Sequence, residues 1–314
     1  MSRSVHTFRL SFNLLMGLLV VFLGCSEENK NRAVEVSDSA EKTTTPSDPV
    51  ELSEAFKTYW YTGLAELTSY RLEQARYGEI REGHAVLIYV TEDFNPVKQV
   101  KADYSKPENI SVLKLNATKN FNTGIYPYSI MQSTFYPVSN NQHALKVSSS
   151  IQEWCGQVYT QINNRDDYEV MSHSYFEPEA DQEFSLDKSI LENEIWTQLR
   201  IDPQSLPQGE IELIPSLEFL RLKHLPVKAY KAQATLNEGQ YEINYDDISR
   251  SLTIIFNDQF PYNILEWEES FYSSEGPDAK RMTTRAVKLS EMKAPYWQQN
   301  KNSDVILRDS LMLR

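Results

Sequence analysis

The chain has 314 residues, 31 Lys and Arg against 44 Asp and Glu, and a formal charge of −13. That balance excludes a sequence-independent nucleic-acid binder, and 18 Tyr, 13 Phe and 5 Trp supply too much core for a disordered chain. Nor is there the series of apolar runs of about 20 residues that a polytopic membrane protein needs, and two Cys make no disulfide framework.

Residues 1–24 hold Arg3 and Arg9 and no acid. From Leu14 the chain reads LLMGLLVVFL. That run is too short to span a bilayer and fits the apolar core of an export signal behind a basic start. Phe22-Leu23-Gly24-Cys25 follows directly and resembles the lipobox of bacterial lipoproteins. The resemblance implies that residues 1–24 are a signal peptide removed before Cys25. It also implies a diacylglyceryl group on the Cys25 thiol and an acyl chain on the new amino group. Three chains anchor stably where one binds only marginally. Ser26-Glu27-Glu28 has no Asp at the second position, and the acidic stretch resembles the surface-export signal of Bacteroidetes lipoproteins. The expected place is the outer membrane, on either its periplasmic or its surface-facing leaflet. Residues 25–50 lack aromatics and are rich in Ser, Thr, Asp and Glu, which predicts a disordered tether.

Residues 51–314 read as a single β-rich globular domain. A short helix is predicted over 52–60, with Ser53 as N-cap and Phe56 and Trp60 on one face. Gly78 to Gly83 reads as a six-residue turn between strands 67–77 and 84–91. Further strands are expected at 97–103, 112–117, 130–136, 145–151, 157–162, 168–175, 211–214, 227–236, 240–245, 252–257, 262–271 and 282–289. Their alternation and close spacing favour antiparallel meanders. Leu186, Ile190, Leu191, Ile195 and Leu199 form a helical stripe capped by Ser185, and residues 305–313 read as a C-terminal helix. The predicted fold is mainly β (α+β): one strongly curved antiparallel sheet or open half-barrel with two or three helices.

The search for chemistry yields little. No G-x-G-x-x-G, G-x-S-x-G or H-E-x-x-H is present. Gly78 and Gly83 have P-loop spacing, but His84-Ala85 stand where the phosphate ligands belong. Cys155 reads as a small buried side chain on a strand, with a nucleophile paired to His143 or His173 as the sharper alternative. Glu177, Glu179, Asp181 and Glu183 alternate, which suits a solvated loop or a calcium patch. No metal site, cofactor or catalytic residue is assigned. Arg71, Arg76, Arg81 and Arg165 stand out in an acidic chain and are expected to pair locally with Glu73, Glu79 and Asp166. Tyr59, Trp60, Trp154, Tyr159 and Arg165 are candidate ligand-binding residues, because Tyr and Trp give amphipathic contact area. Packing of the sheet against a helix is the alternative role for the aromatics.

The segments AELTSYRLEQARYGEIREGHAVLIYVTEDF, LKLNATKNFNTGIYPYSIMQSTFYPV, KVSSSIQEWCGQVYTQINNR and SHSYFEPEADQEF resemble an uncharacterised family of Bacteroidetes outer-membrane lipoproteins. Members often carry the label septum formation inhibitor Maf. Genuine Maf proteins are α/β nucleotide pyrophosphatases with an N-terminal Ser-x-Ser-x-x-Arg motif, which this chain lacks. The hairpin at 67–91 and the stretch LTIIFNDQFPYNILEWEE look like envelope proteins of the lipoprotein-carrier type. There a curved sheet wraps an apolar cavity closed by helices. These resemblances imply a non-enzymatic envelope lipoprotein, membrane-bound through its anchor, that takes an acyl or other hydrophobic ligand or supports envelope assembly with a protein partner. A surface module for protein or glycan, or an unrecognised hydrolase, is the alternative.

Overall fold

The computed structural model describes residues 51–140, 142–274 and 278–313. The signal peptide, Cys25 and the tether lie outside the described residues. In chain order the elements are α1 (Glu54–Trp60), β1 (Ala65–Arg76), β2 (Glu79–Asn95), β3 (Val100–Lys101), β4 (Ile110–Thr123), β5 (Tyr126–Pro137), β6 (Lys146–Glu153), β7 (Gly156–Asn164), β8 (Tyr168–Ser174), β9 (Gln182–Leu186), β10 (Ile190–Leu191), α2 (Glu192–Ile201), β11 (Gly209–Ile214), α3 (Leu217–Leu222), β12 (Tyr230–Asn237), β13 (Gln240–Tyr245), β14 (Arg250–Phe256), β15 (Ile264–Tyr272), β16 (Arg281–Ala294) and α4 (Leu307–Ser310).

All sixteen strands join one sheet in the order β10-β11-β12-β13-β14-β15-β16-β1-β2-β4-β5-β6-β7-β8-β9, with β3 beside β2. Every pairing is antiparallel except β10 with β11. The protein is therefore mainly β, built on one large, open, curved sheet. Its two edge strands, β9 and β10, are consecutive in the chain and separated only by residues 187–189. Three residues reach about 10 Å, so the sheet must curl until its edges approach. Ser189 ties them: its carbonyl accepts from Tyr168 Oη on β8 at 2.8 Å, and its Oγ donates to the Glu212 carbonyl on β11 at 2.9 Å.

The first hairpin is tighter than its glycines suggest. Tyr77 and Gly78 form a two-residue turn with φ of 54° and 75°, the left-handed pair that matches strand twist. Gly83 lies within β2 instead. A Cβ there would stand 2.3 Å from the Asn120 carbonyl oxygen and 2.8 Å from Phe121 Cβ, so this glycine lets β2 and β4 approach.

Side chains alternate along the strands, and the inner set, with Tyr70, Leu87, Leu113 and Tyr241 among it, forms the main core together with Trp60 of α1 and Ile195 of α2. The core also encloses α2. This helix begins at Glu192, later than the stripe predicts, because Leu186 belongs to β9 and Ile190 and Leu191 to β10. Ser185 does not cap it; Glu194 Oε1 accepts from the Leu191 N–H at 3.1 Å, and Glu194 Oε2 from the Ala144 N–H at 2.6 Å. Eight of its residues are buried. Its neighbours lie on both halves of the sheet: Tyr89 Oη on β2 donates to the Trp196 carbonyl, Thr134 Oγ1 on β5 to that of Asn193, and Tyr245 Oη on β13 to Glu192. The helix thus fills the interior that an open half-barrel would leave for a ligand.

At one end α1 closes the barrel. Ser53 Oγ accepts from the Phe56 N–H at 3.1 Å, and Phe56 and Trp60 are buried. Glu66 on β1 makes a two-pronged pair with Arg200 on α2, at 2.7 and 2.8 Å, with both side chains almost wholly buried. Burial pushes the Glu66 carboxyl up, but the charge and hydrogen bonds of Arg200, with Tyr59 and Lys293, hold it below the ordinary carboxylate range. Of the predicted C-terminal helix 305–313, Leu307–Ser310 form the single turn of α4, which a 3-10 stretch, Asn302–Ile306, leads into. Leu311 and Leu313 cover Leu67, Val86 and Val90 on the outer face of the sheet.

Candidate functional site

The opposite end is open. The β1–β2, β4–β5, β6–β7, β13–β14 and β15–β16 turns all lie there, as the strand registers require. Among the described residues α3, a helix that the periodicity does not reveal, is the helix that enters this mouth. Beside α3 is a cavity of about 760 Å³, within the roughly 300–1,000 Å³ of small-molecule sites. Across α3 is a smaller one of about 110 Å³, lined by Tyr128, Cys155 and Phe176. Beneath them a cavity of about 50 Å³ has room for a few waters, since one needs only about 10–15 Å³.

The floor is charged and matched. Lys119 Nζ donates to Glu218 Oε1 at 2.8 Å, and Gln132 Nε2 to Glu218 Oε2 at 3.1 Å. Arg250 donates to Glu269 at 2.7 Å and also holds Glu192. Burial, aided by the Glu269 charge, raises the Glu218 carboxyl above the usual range, and Lys119 opposes the shift.

The wall is different. Arg76, at the end of β1, donates to the Leu222 carbonyl at 2.8 Å and to the Tyr77 and Tyr128 hydroxyls at 3.1 and 3.2 Å. Its guanidinium lies 4.2 Å from the Tyr77 ring centre. Lys223, just after α3, donates to the Tyr272 carbonyl at 2.6 Å and sits 4.5 Å from the Phe271 ring centre. Neither pairs with a carboxylate among the described residues, whereas Arg221 and His224 share Glu179 at 3.1 and 2.8 Å. The expected local pair of Arg76 is therefore absent; Arg81 does pair with Glu79, at 2.5 Å, and Arg165 takes Glu169 in place of Asp166. Burial, then the nearby charge of Arg76, lowers the Lys223 amine below its ordinary value. Gln74 is 2% exposed; its Nε2 donates to Thr284 Oγ1 at 3.0 Å and its Oε1 has no partner.

The five ligand-binding candidates do not converge. Trp60 is buried in the core, and Tyr59 beside it donates to Glu66 at 2.6 Å, both at the closed end. Tyr159 is on the outer face, its hydroxyl donating to Gln161 at 2.8 Å. Arg165 lies at the far end of β7, bonded to Glu169 and to the Val97 carbonyl. Trp154 alone reaches the mouth, 69% exposed on the β6–β7 turn. Tyr77, Ile125, Tyr175 and Tyr272 are exposed around the same rim. Sequence reasoning missed Gln74, Lys223 and Phe271; a Lys-His pair just past a short apolar run was the available signal for Lys223.

Cys155 is exposed in the turn, not buried on a strand. A hydrogen bond with Glu153, and that residue's charge, raise the thiol's pKa above its ordinary value, which disfavours the thiolate. His143 is engaged by Glu194 at the other end of β6, and His173 lies 3.3 Å from Asp181. Glu179 is thus paired with Arg221 and Asp181 lies beside the His173 ring, and among the described residues no three metal-binding side chains gather.

No protein-family model matches the chain, and no curated protein matches it. Among solved structures it is similar to the beta-barrel-like protein of domain of unknown function DUF1849 from Brucella abortus, with 9% identity over 73% of this chain and 98% of that one, and a TM-score of 0.42.

Proposed function

We propose that this chain is a non-enzymatic envelope lipoprotein, anchored to the outer membrane through Cys25, that binds a partly apolar ligand in its open mouth. The carrying observation is the cavity of about 760 Å³ beside α3. It is large enough for a ligand, while the barrel's interior is occupied by α2. The anchor rests on the LLMGLLVVFLGC stretch. A binding role also suits a site without a paired nucleophile and base. Two measurements test this on the full-length protein in its native host. Metabolic labelling with an alkyne palmitate should mark the protein, and Cys25→Ser should abolish the mark. Mass spectrometry of an extract of the purified protein should find a stoichiometric small molecule. An unlabelled protein overturns the anchor, and an empty one overturns constitutive binding.

A second reading is favoured by the rim. Tyr77, Ile125, Trp154 and Tyr175 are each more than half exposed, and such residues are common at recognition surfaces. In that reading the rim docks a protein or glycan.

A further inference from the structure

We infer that the mouth takes a single acyl chain carrying an anionic head, a carboxylate or a phosphate, with the head against Arg76 and Lys223. This rests on the reading of the mouth as a binding site and adds the chemistry of its ligand.

The charge pattern carries the inference. The chain is acidic overall, at −13, and a cation on such a protein ordinarily finds a carboxylate. Among the described residues the hydrogen bonds of Arg76 and Lys223 instead all go to neutral oxygens: the Leu222 and Tyr272 carbonyls and two tyrosine hydroxyls. They stand close enough for the charge of one to depress the amine of the other. Two like charges on a half-buried wall repel, and a bound anion would relieve that repulsion. The acids deeper in the cavity are already engaged, Glu218 by Lys119 and Glu269 by Arg250. Asp247 lies across the mouth on the β13–β14 turn, with no cation paired to it among the described residues.

The shape carries the rest. Phe219 and Phe271, with Leu225, Ile248 and Met282 packed against them, form a small apolar cluster that meets the main core through Leu225 and Ile248. All five line the cavity. A chain laid along this strip would keep its head at the wall of cations. Gln74, buried at the same wall with an unpartnered Oε1, could accept a hydrogen bond from a hydroxyl or from a protonated head. Burying such an acceptor unpaired costs about 1–3 kcal/mol, so its place at a cavity marks a spot where a ligand donor fits.

The test uses the full-length lipidated protein in membranes and three diazirine probes: a fatty acid, the matching fatty alcohol and a lysophosphatidic acid. Photolabelled sites are mapped by mass spectrometry. The acid or the lysophosphatidic acid should label the cavity strip, and the stronger of the two names the head. The alcohol should label it at least tenfold less. Arg76→Gln with Lys223→Gln should reduce anionic labelling tenfold or more. Arg76 also holds α3 through the Leu222 carbonyl, so Lys223→Gln alone is the control for folding; it should cost at least threefold with an unchanged melting temperature. Equal labelling by acid and alcohol, unmoved by either variant, overturns the anionic head while leaving the mouth a binding site. No labelling of the strip by any probe overturns both.

Discussion

The two ends of the barrel treat charge in opposite ways. At the closed end Arg200 is 1% exposed, and Glu66 answers it with both carboxylate oxygens. Its Nε donates to the Pro261 carbonyl at 2.8 Å, and its guanidinium lies 5.0 Å from the Trp60 ring centre and 4.7 Å from that of Tyr89. At the mouth Arg76 stacks on tyrosines in a similar way but meets no carboxylate among the described residues. Desolvated charge is tolerable only when matched. A matched pair at a sealed end is architecture. Unmatched cations at an open end are tolerable because solvent or a ligand can reach them, and that difference locates the site.

Breaking the closed end should give the largest effect. Arg200→Met leaves the Glu66 carboxylate buried without its partner, and should destabilise the protein by about 3–5 kcal/mol in denaturant unfolding. Adding Glu66→Leu should return most of the loss, because the cost lies in the orphaned charge. A double variant as unstable as the single would mean that the pair itself, and not its matching, holds this end. The same pair sets an acid limb. The folded-state value of Glu66 is lowered from 4.5, so its contribution is complete above about pH 4.5 and is lost as pH falls through the folded value. Glu66→Gln should flatten the decline of stability below that pH, measured against the wild-type slope. A slope that Glu66→Gln leaves unchanged would assign the acid limb to other carboxylates.

The closed end was partly legible in the sequence and the mouth hardly at all, for physical reasons. Period-two alternation depends on local geometry, so most strands, such as Gln240–Tyr245, appear where expected. The stripe from Leu186 to Leu199 misled, because i, i+4 spacing also fits two short edge strands flanking residues 187–189, followed by a helix. The acidic 177–183 run hid β9, whose pairing with β8 brings Phe184 opposite Val170. Trp60 and Trp154 look alike in sequence, yet burial separates them completely. What makes Arg76 notable is that its partners in three dimensions, among the described residues, are neutral oxygens and not a carboxylate, and no spacing rule encodes that.

Gly83 gives an intermediate effect and tests how firmly β2 and β4 are held at their close approach. In Gly83→Ala the new Cβ would meet a backbone carbonyl 2.3 Å away, which cannot swing aside as a side chain could. Overpacking of this kind costs about 1–3 kcal/mol. Gly124 has nothing within 4 Å of a Cβ but a φ of 60°, so Gly124→Asn, which tolerates that conformation, should cost less. Equal losses in thermal unfolding would mean that β2 and β4 can move apart freely.

The smallest effect on stability should come from Trp154→Ala. The ring is 69% exposed, and its aromatic neighbour Tyr126 lies 6.4 Å away, centre to centre. Truncation should change stability by less than about 0.5 kcal/mol, which melting curves would register as no shift. The informative readout is therefore binding. If the rim only surrounds a ligand seated on the strip of Phe271 and Met282, labelling by the anionic probe should persist in Trp154→Ala, because the head and chain contacts are intact. If the rim is itself the recognition surface, probe labelling should again persist, while co-purification of a partner from the native envelope should fall. The variant thus separates the two uses of one end of the barrel, at a residue that contributes almost nothing to the fold.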